Sequence, residues 1–200
     1  MSWHPTFRNH LRPLATLAGL TVLALATACR STPEPPPGPI LTRSLTVSRH
    51  VTSNLSAERA DEILRDMTTV IQVSDAPGDM ACPVEFVRGG EVEVFSLGTG
   101  SINGAADFAA VTAAPGTVKV VNQIHWCGAF SPNILGCAPL GGDSMVVVRW
   151  QASQEGILWL HEYGHLQGLG HRDDPGAVMN SVIHPSHRSV DDVECAFFKP

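Results

Sequence analysis

The side chains of this chain best suited to chemistry sit together at residues 161–171, His161-Glu162-Tyr163-Gly164-His165-Leu166-Gln167-Gly168-Leu169-Gly170-His171. The spacing is H-E-x-x-H-x-x-G-x-x-H, and each fixed position has its own task. Residues four apart on a helix share a face, so the imidazoles of His161 and His165 can grip one ion. Glu162, beside the first of them, reaches the same side of that ion and can take up and return protons. Gly168 allows a backbone turn that a β-carbon would obstruct. The chain then doubles back and brings His171 as a third nitrogen. Three protein ligands plus water is the open arrangement of catalytic zinc, whereas structural zinc is closed by four. The expectation is one catalytic Zn²⁺ held by His161, His165 and His171, with Glu162 as general base. The competing reading, a solvated helix with two histidines, leaves the glycine and the third histidine unexplained.

In these residues the chain resembles the metzincin zinc endopeptidases, whose long zinc motif matches the three histidines, Glu162 and Gly168 position by position. A second mark is Ala177-Val178-Met179-Asn180, similar to the Met-turn beneath the metal in that family. The resemblance implies that Met179 supports the site without ligating zinc. It also implies a twisted mixed sheet with one antiparallel edge strand, an active-site helix and a small C-terminal helical subdomain. Residues 134–148 look most like the matrixin branch, in which the edge strand would hold an extended substrate by β-augmentation. Residues 172–188 would line the primed-side specificity pocket. Some metzincins carry a tyrosine shortly after the Met-turn; the single tyrosine here is Tyr163, which argues against the astacin and serralysin branches.

The rest of the chain bounds this reading. With 200 residues, 44% apolar and 16% charged, it is ordinary globular material, and its net charge of −6 argues against a nucleic-acid partner. His4, Arg8, His10 and Arg12 precede a mostly apolar run at residues 14–26, which ends in Leu25-Ala26-Thr27-Ala28-Cys29. A run of that length is too short to span a bilayer comfortably. Small residues directly before a cysteine resemble the lipobox of bacterial lipoproteins, so residues 1–28 are expected to be a signal peptide and Cys29 the lipidated first residue. An ordinary secretory signal cut near Ala28 is the alternative. Residues 29–39, rich in proline, would be an extended tether, and residues 40–200 the catalytic domain. The protein would then be an exported monomer, anchored at the cell envelope, by default the outer membrane, or simply secreted. Cys82, Cys127, Cys137 and Cys195 remain, an even number that implies disulfides in an exported chain. Of the three pairings four cysteines allow, the preferred one joins Cys127 to Cys137 across a short loop and Cys82 to Cys195.

The pattern of apolar residues supplies elements to position the motif. A strand is expected at residues 40–51. Ser56 would cap a helix whose inward set is Ala60, Ile63, Leu64, Met67, Val70 and Ile71. Strands are expected at 82–87, 91–97, 117–124 and 134–139, with residues 98–116 ambiguous. Residues 145–150 read as a strand buried on both faces. Ser153 would cap the motif helix, with Ile157, Leu158, Leu160 and Leu166 buried. A capping box at residues 189–192 would open a last helix with Val193, Ala196 and Phe197 inward. That order gives an α/β (α+β) sheet with helices on one side. Trp150 and Trp159 read as core, His50 and His125 as structural, and His184 and His187 as surface. Asp173 and Asp174 read as solvated loop or as partners of a ligand imidazole.

Two functional classes follow. The first is a zinc endopeptidase acting on protein or peptide substrates, most active where the imidazoles are neutral. The second is a zinc-binding surface lipoprotein without catalysis, serving adhesion or binding; Glu162 weighs against it, because a binding module needs no base. A structural zinc lipoprotein would require a fourth protein ligand.

Overall fold

The computed structural model describes residues 38–73 and 78–199. The expected signal peptide, Cys29 and nearly all of the tether lie outside the described residues, as does most of the turn at 75–79.

An extended run begins the fold as β1 (Leu41–Leu45) and β2 (Val47–His50), broken at Thr46. The single strand expected at 40–51 is thus two, because the segment leaves one ladder and joins another. Next comes α1 (Ala57–Gln72), capped by the Ser56 side chain, which accepts from the Arg59 amide. Its buried residues are the expected six, Ala60, Ile63, Leu64, Met67, Val70 and Ile71. They recur every three or four positions and so share one stripe, each worth about 1–3 kcal/mol of transfer free energy when removed from water. The chain continues through β3 (Val84–Arg88), β4 (Glu93–Phe95), β5 (Ser101–Ile102) and α2 (Ala105–Thr112), resolving the ambiguous stretch. The strand expected at 117–124 divides at Asn122 into β6 (Val118–Val121) and β7 (Gln123–Cys127). A hairpin then leads into β8 (Ala129–Ile134), β9 (Gly136–Cys137), β10 (Met145–Val148), α3 (Glu155–Leu166) and α4 (Asp192–Phe198).

The main sheet has the order β4-β2-β6-β10-β9. Its first four strands are parallel, and β9 lies antiparallel along β10 with Val146 opposite Cys137 and Val147 opposite Gly136. This is the single antiparallel edge expected. β1 and β3 form a parallel pair, and β5, β7 and β8 a three-stranded flank. Alternation along a strand sends neighbours to opposite faces. Val118, Val120, Met145 and Val147 join a core with α1 and α3, while Val121, Val146 and Val148 join a second core with Val111 of α2. Helices therefore cover both faces, not one as the element order suggested. The short α2 fills the far side.

Both preferred disulfides are present. Cys82–Cys195 joins the entry to β3 to α4, and Cys127–Cys137 joins the end of β7 to β9. Two helix starts differ from expectation. The N-cap of α3 is Gln154 and carries no side-chain cap, so Ser153 does not perform that role. α4 is capped two residues later than expected, by Asp191 with Glu194 completing the capping box. That shift turns the helix, so Cys195 and Phe198 are buried while Val193, Ala196 and Phe197 face out.

Candidate metal centre

Every residue of α3 is buried. A helix surrounded on all sides must carry its polar groups for a reason, and this one carries His161, Glu162, His165 and Glu155. The imidazoles of His161 and His165 face each other with Nε2 atoms 3.1 Å apart. Past the helix, Gly168 adopts φ +95°, the left-handed conformation expected of that position. The Gly168 amide donates to the His165 carbonyl at 2.9 Å, and the Leu169 amide to the Gly164 carbonyl at 2.9 Å. The chain reverses, and the His171 ring arrives 5.2 Å from that of His161 and 4.9 Å from that of His165, centroid to centroid. One nitrogen from each of the three lies within 4.8 Å of the others.

The outer nitrogens fix the tautomers. His161 Nδ1 lies 2.9 Å from the Val178 carbonyl, and His165 Nδ1 lies 2.7 Å from the Leu169 carbonyl. A carbonyl only accepts, so both Nδ1 atoms carry hydrogen and both Nε2 atoms present lone pairs inward. Burial, the largest influence, lowers the His161 pKa to about 4, and burial likewise lowers that of His165. Both effects favour neutral rings. Asp174, one of the two expected candidates for supporting an imidazole, does something else. Its carboxylate accepts from the Gly176 amide at 2.8 Å and its carbonyl from the Asn180 side chain at 2.9 Å, closing the loop. The backbone carbonyls of Val178 and Leu169 orient the rings instead.

Met179, wholly buried, directly follows the residue that holds His161. A β-carbon added to Gly164 would stand 2.4 Å from its sulfur. The Met-turn therefore presses on the helix backbone between the two helical histidines. Glu162 is enclosed from the opposite side. A β-carbon on Gly136 of β9 would stand 2.3 Å from Glu162 Oε1, so the edge strand approaches the carboxylate as closely as glycine allows. Burial raises the Glu162 pKa to about 8, and its Oε2 is buried with no hydrogen-bond partner.

The site opens into a cleft of about 800 Å³ between the edge strand, α3 and residues 181–183. Of the segment expected to line a specificity pocket, Ser181, Val182 and Ile183 do so. His184 is exposed as expected, but His187 is largely buried, its Nδ1 donating to the Val182 carbonyl at 2.7 Å. Trp159 is core, whereas Trp150 lines the cleft. His50 is buried and bonded to Thr52, and His125 stacks on Phe130. Sequence reasoning missed Gly136, Gly164, Trp150 and Arg172. The last fastens the loop after His171 to the start of α4 through Asp191 at 2.7 Å and Glu194 at 3.2 Å. Gly164 carried a signal, since it stands within the motif between the two helical histidines.

The matrixin family model matches residues 108–195 of the chain, a stretch that takes in the edge strand, α3 and all three histidines. Among solved structures the chain is similar to archaemetzincin from Methanopyrus kandleri, with a TM-score of 0.51 and 14% identity over 82% of this chain and 96% of that one. No curated protein sequence matches. The fold is metzincin-like. Together with the matrixin match across the site, it supports a zinc metallopeptidase of metzincin type.

Proposed function

We propose that this protein is a zinc-dependent endopeptidase in which His161, His165 and His171 hold the metal and Glu162 is the general base. One observation carries the reading. Two lone-pair-bearing Nε2 atoms face each other at 3.1 Å, with the third imidazole alongside and an unpartnered buried carboxylate oxygen next in sequence. Two acceptors so close repel unless a cation lies among them. The donor set of three neutral imidazoles suits zinc, with one position left for exchange. When bound, the ion supplies Lewis acidity toward water and the scissile carbonyl.

The chain does the rest. The cleft admits an extended peptide alongside β9, whose outer edge has no strand partner among the described residues. Glu162 accepts a proton from the attacking water and delivers it to the leaving nitrogen. Its buried setting raises its affinity for that proton, and the close approach of Gly136 keeps the carboxylate from swinging away. The carbonyls of Val178 and Leu169 hold two ligand rings in register while this happens.

Glu162→Gln is expected to keep the fold and bound zinc while losing at least about 100-fold in turnover, the scale of a general base. His165→Ala is expected to lose both metal and activity. Casein hydrolysis and zinc content measured on the same preparations test this; normal hydrolysis by Glu162→Gln would end the assignment. A non-catalytic zinc-binding module would show no hydrolysis sensitive to 1,10-phenanthroline. We further propose export, a reading supported by two disulfides in the domain, with lipidation at Cys29, which rests on the small residues before that cysteine. Palmitate labelling that persists in Cys29→Ser would overturn the lipid anchor.

A further inference from the structure

Trp150 stands just ahead of α3, on the wall of the cleft that holds His161 and Glu162. It is 43% exposed. Both ends of the residue are fastened. Its backbone amide donates to Glu155 Oε1 at 3.1 Å, and its indole Nε1 donates to Gln154 Oε1 at 3.3 Å. The Gln154 amide is itself oriented, since its Nε2 donates to Gln151 Oε1 at 2.7 Å. The indole N–H is therefore satisfied internally, and what Trp150 offers the cleft is an apolar ring already fixed in place. A ring held this way loses little conformational entropy when a ligand packs on it. Leu140 and Val182, also lining the cleft, are 65% and 63% exposed. Among the described residues, the ionisable side chains lining the cleft are those of the site itself, His161, Glu162, His165 and His171.

Resting on the endopeptidase reading, we infer that Trp150 is a specificity-determining residue that packs on a large apolar side chain of the substrate away from the scissile bond. The Trp150 amide is tied to Glu155 at the start of α3, and His161 lies six residues further along the helix, a rise of about 9 Å, so the Trp150 backbone is anchored toward one end of the cleft and not beside the ligand histidines. The substrate class is an extended peptide with an aromatic or branched aliphatic residue at that distal position. A charged residue there would lose its hydration against an apolar wall without gaining a partner.

Quenched fluorescent peptides that differ only at one distal position (Leu or Phe, Ala, Lys, Glu) test this with the wild type, Trp150→Ala and Trp150→Phe. The expected result is a preference for Leu or Phe. Trp150→Ala should lose roughly 10-fold in kcat/KM for those peptides, through KM, and little for the Ala peptide, with Trp150→Phe recovering most of the loss. The same peptides, labelled for anisotropy, should bind Glu162→Gln about 10-fold more tightly than Glu162→Gln/Trp150→Ala. Equal losses across all peptides, or a preference for Lys or Glu at that position, would overturn the assignment of Trp150. If binding discriminates but no peptide is cleaved, the endopeptidase reading falls and the apolar subsite stands.

Discussion

At Gly164 the helix and the turn beneath it have no room to spare. An alanine there gains helix propensity of about 1 kcal/mol, but its methyl would meet the Met179 sulfur at 2.4 Å and the Leu169 side chain at 3.4 Å. Overpacking of a closed core costs about 1–3 kcal/mol, and Met179 is wholly buried. Gly164→Ala is therefore expected to destabilise the protein in urea unfolding and to weaken zinc binding, because a wholly buried side chain that gives way strains the turn whose Val178 carbonyl holds His161. Adding Met179→Ala should restore part of the metal affinity, a coupling that a double-mutant cycle measures. Simple additivity of the two losses would show that the contact is not the cause. Much of this single-residue chemistry was legible in the motif: the three histidines, Glu162 and Gly168 stand where their types and spacing placed them. The glycine-to-methionine contact was not, because a motif gives the contents of a turn and says nothing about what packs against the empty side of a glycine.

Among the elements, α3 is held at its start by a charge and not by a cap. Glu155, fully buried, accepts from Arg59 at 2.8 and 3.1 Å, from Arg149 and from the Trp150 amide. Burial pushes its pKa up, but the arginine hydrogen bonds outweigh that and the net shift is downward. Glu155→Gln leaves two guanidinium groups against a neutral amide. With both arginines partly solvated, the expected loss is about 2–3 kcal/mol, at the lower edge for breaking a buried pair, and urea midpoints would report it. A change within about 0.5 kcal/mol would mean that water replaces the pair. This network explains why Ser153 was misread. A serine just ahead of an apolar run is a good cap on local grounds, but the chain reaches α3 with Glu155 already satisfying the turn. The same limit appears in α4, where the cap falls at Asp191 and not at Ser189, and the helix so set carries the Cys195 that is bonded to Cys82. By contrast, α1 was legible almost residue by residue, and β10 up to its end, where the strand expected at 145–150 stops at Val148, since a buried stripe or a doubly buried strand imposes its own period. The breaks at Thr46 and Asn122 were not, because a strand that changes partners keeps the same alternation.

On the scale of the whole molecule, two cores flank one sheet, and Lys119 lies between Val118 and Val120 on the face turned toward α2. It is almost fully buried, donates to the Gly116 carbonyl and has no ion pair among the described residues. Burial lowers its pKa from 10.5 to about 8. Between those values the unfolded chain keeps a proton that the folded chain has released, so stability should rise as pH goes from 8 to 10.5. Lys119→Met is expected to add about 2 kcal/mol at pH 7 and to flatten that rise; an unchanged slope in the variant would show that another group titrates. A different consequence follows from the guanidinium one position beyond the third imidazole. Arg172 grips Asp191, Ser189 and Glu194, so the segment behind the proposed third ligand, His171, is steadied by the residues that open α4. Ion capture should then wait until α4 has docked against Arg172. In refolding followed with a zinc-responsive dye, uptake is expected to coincide with the slowest spectroscopic phase, and uptake ahead of it would show that two imidazoles suffice.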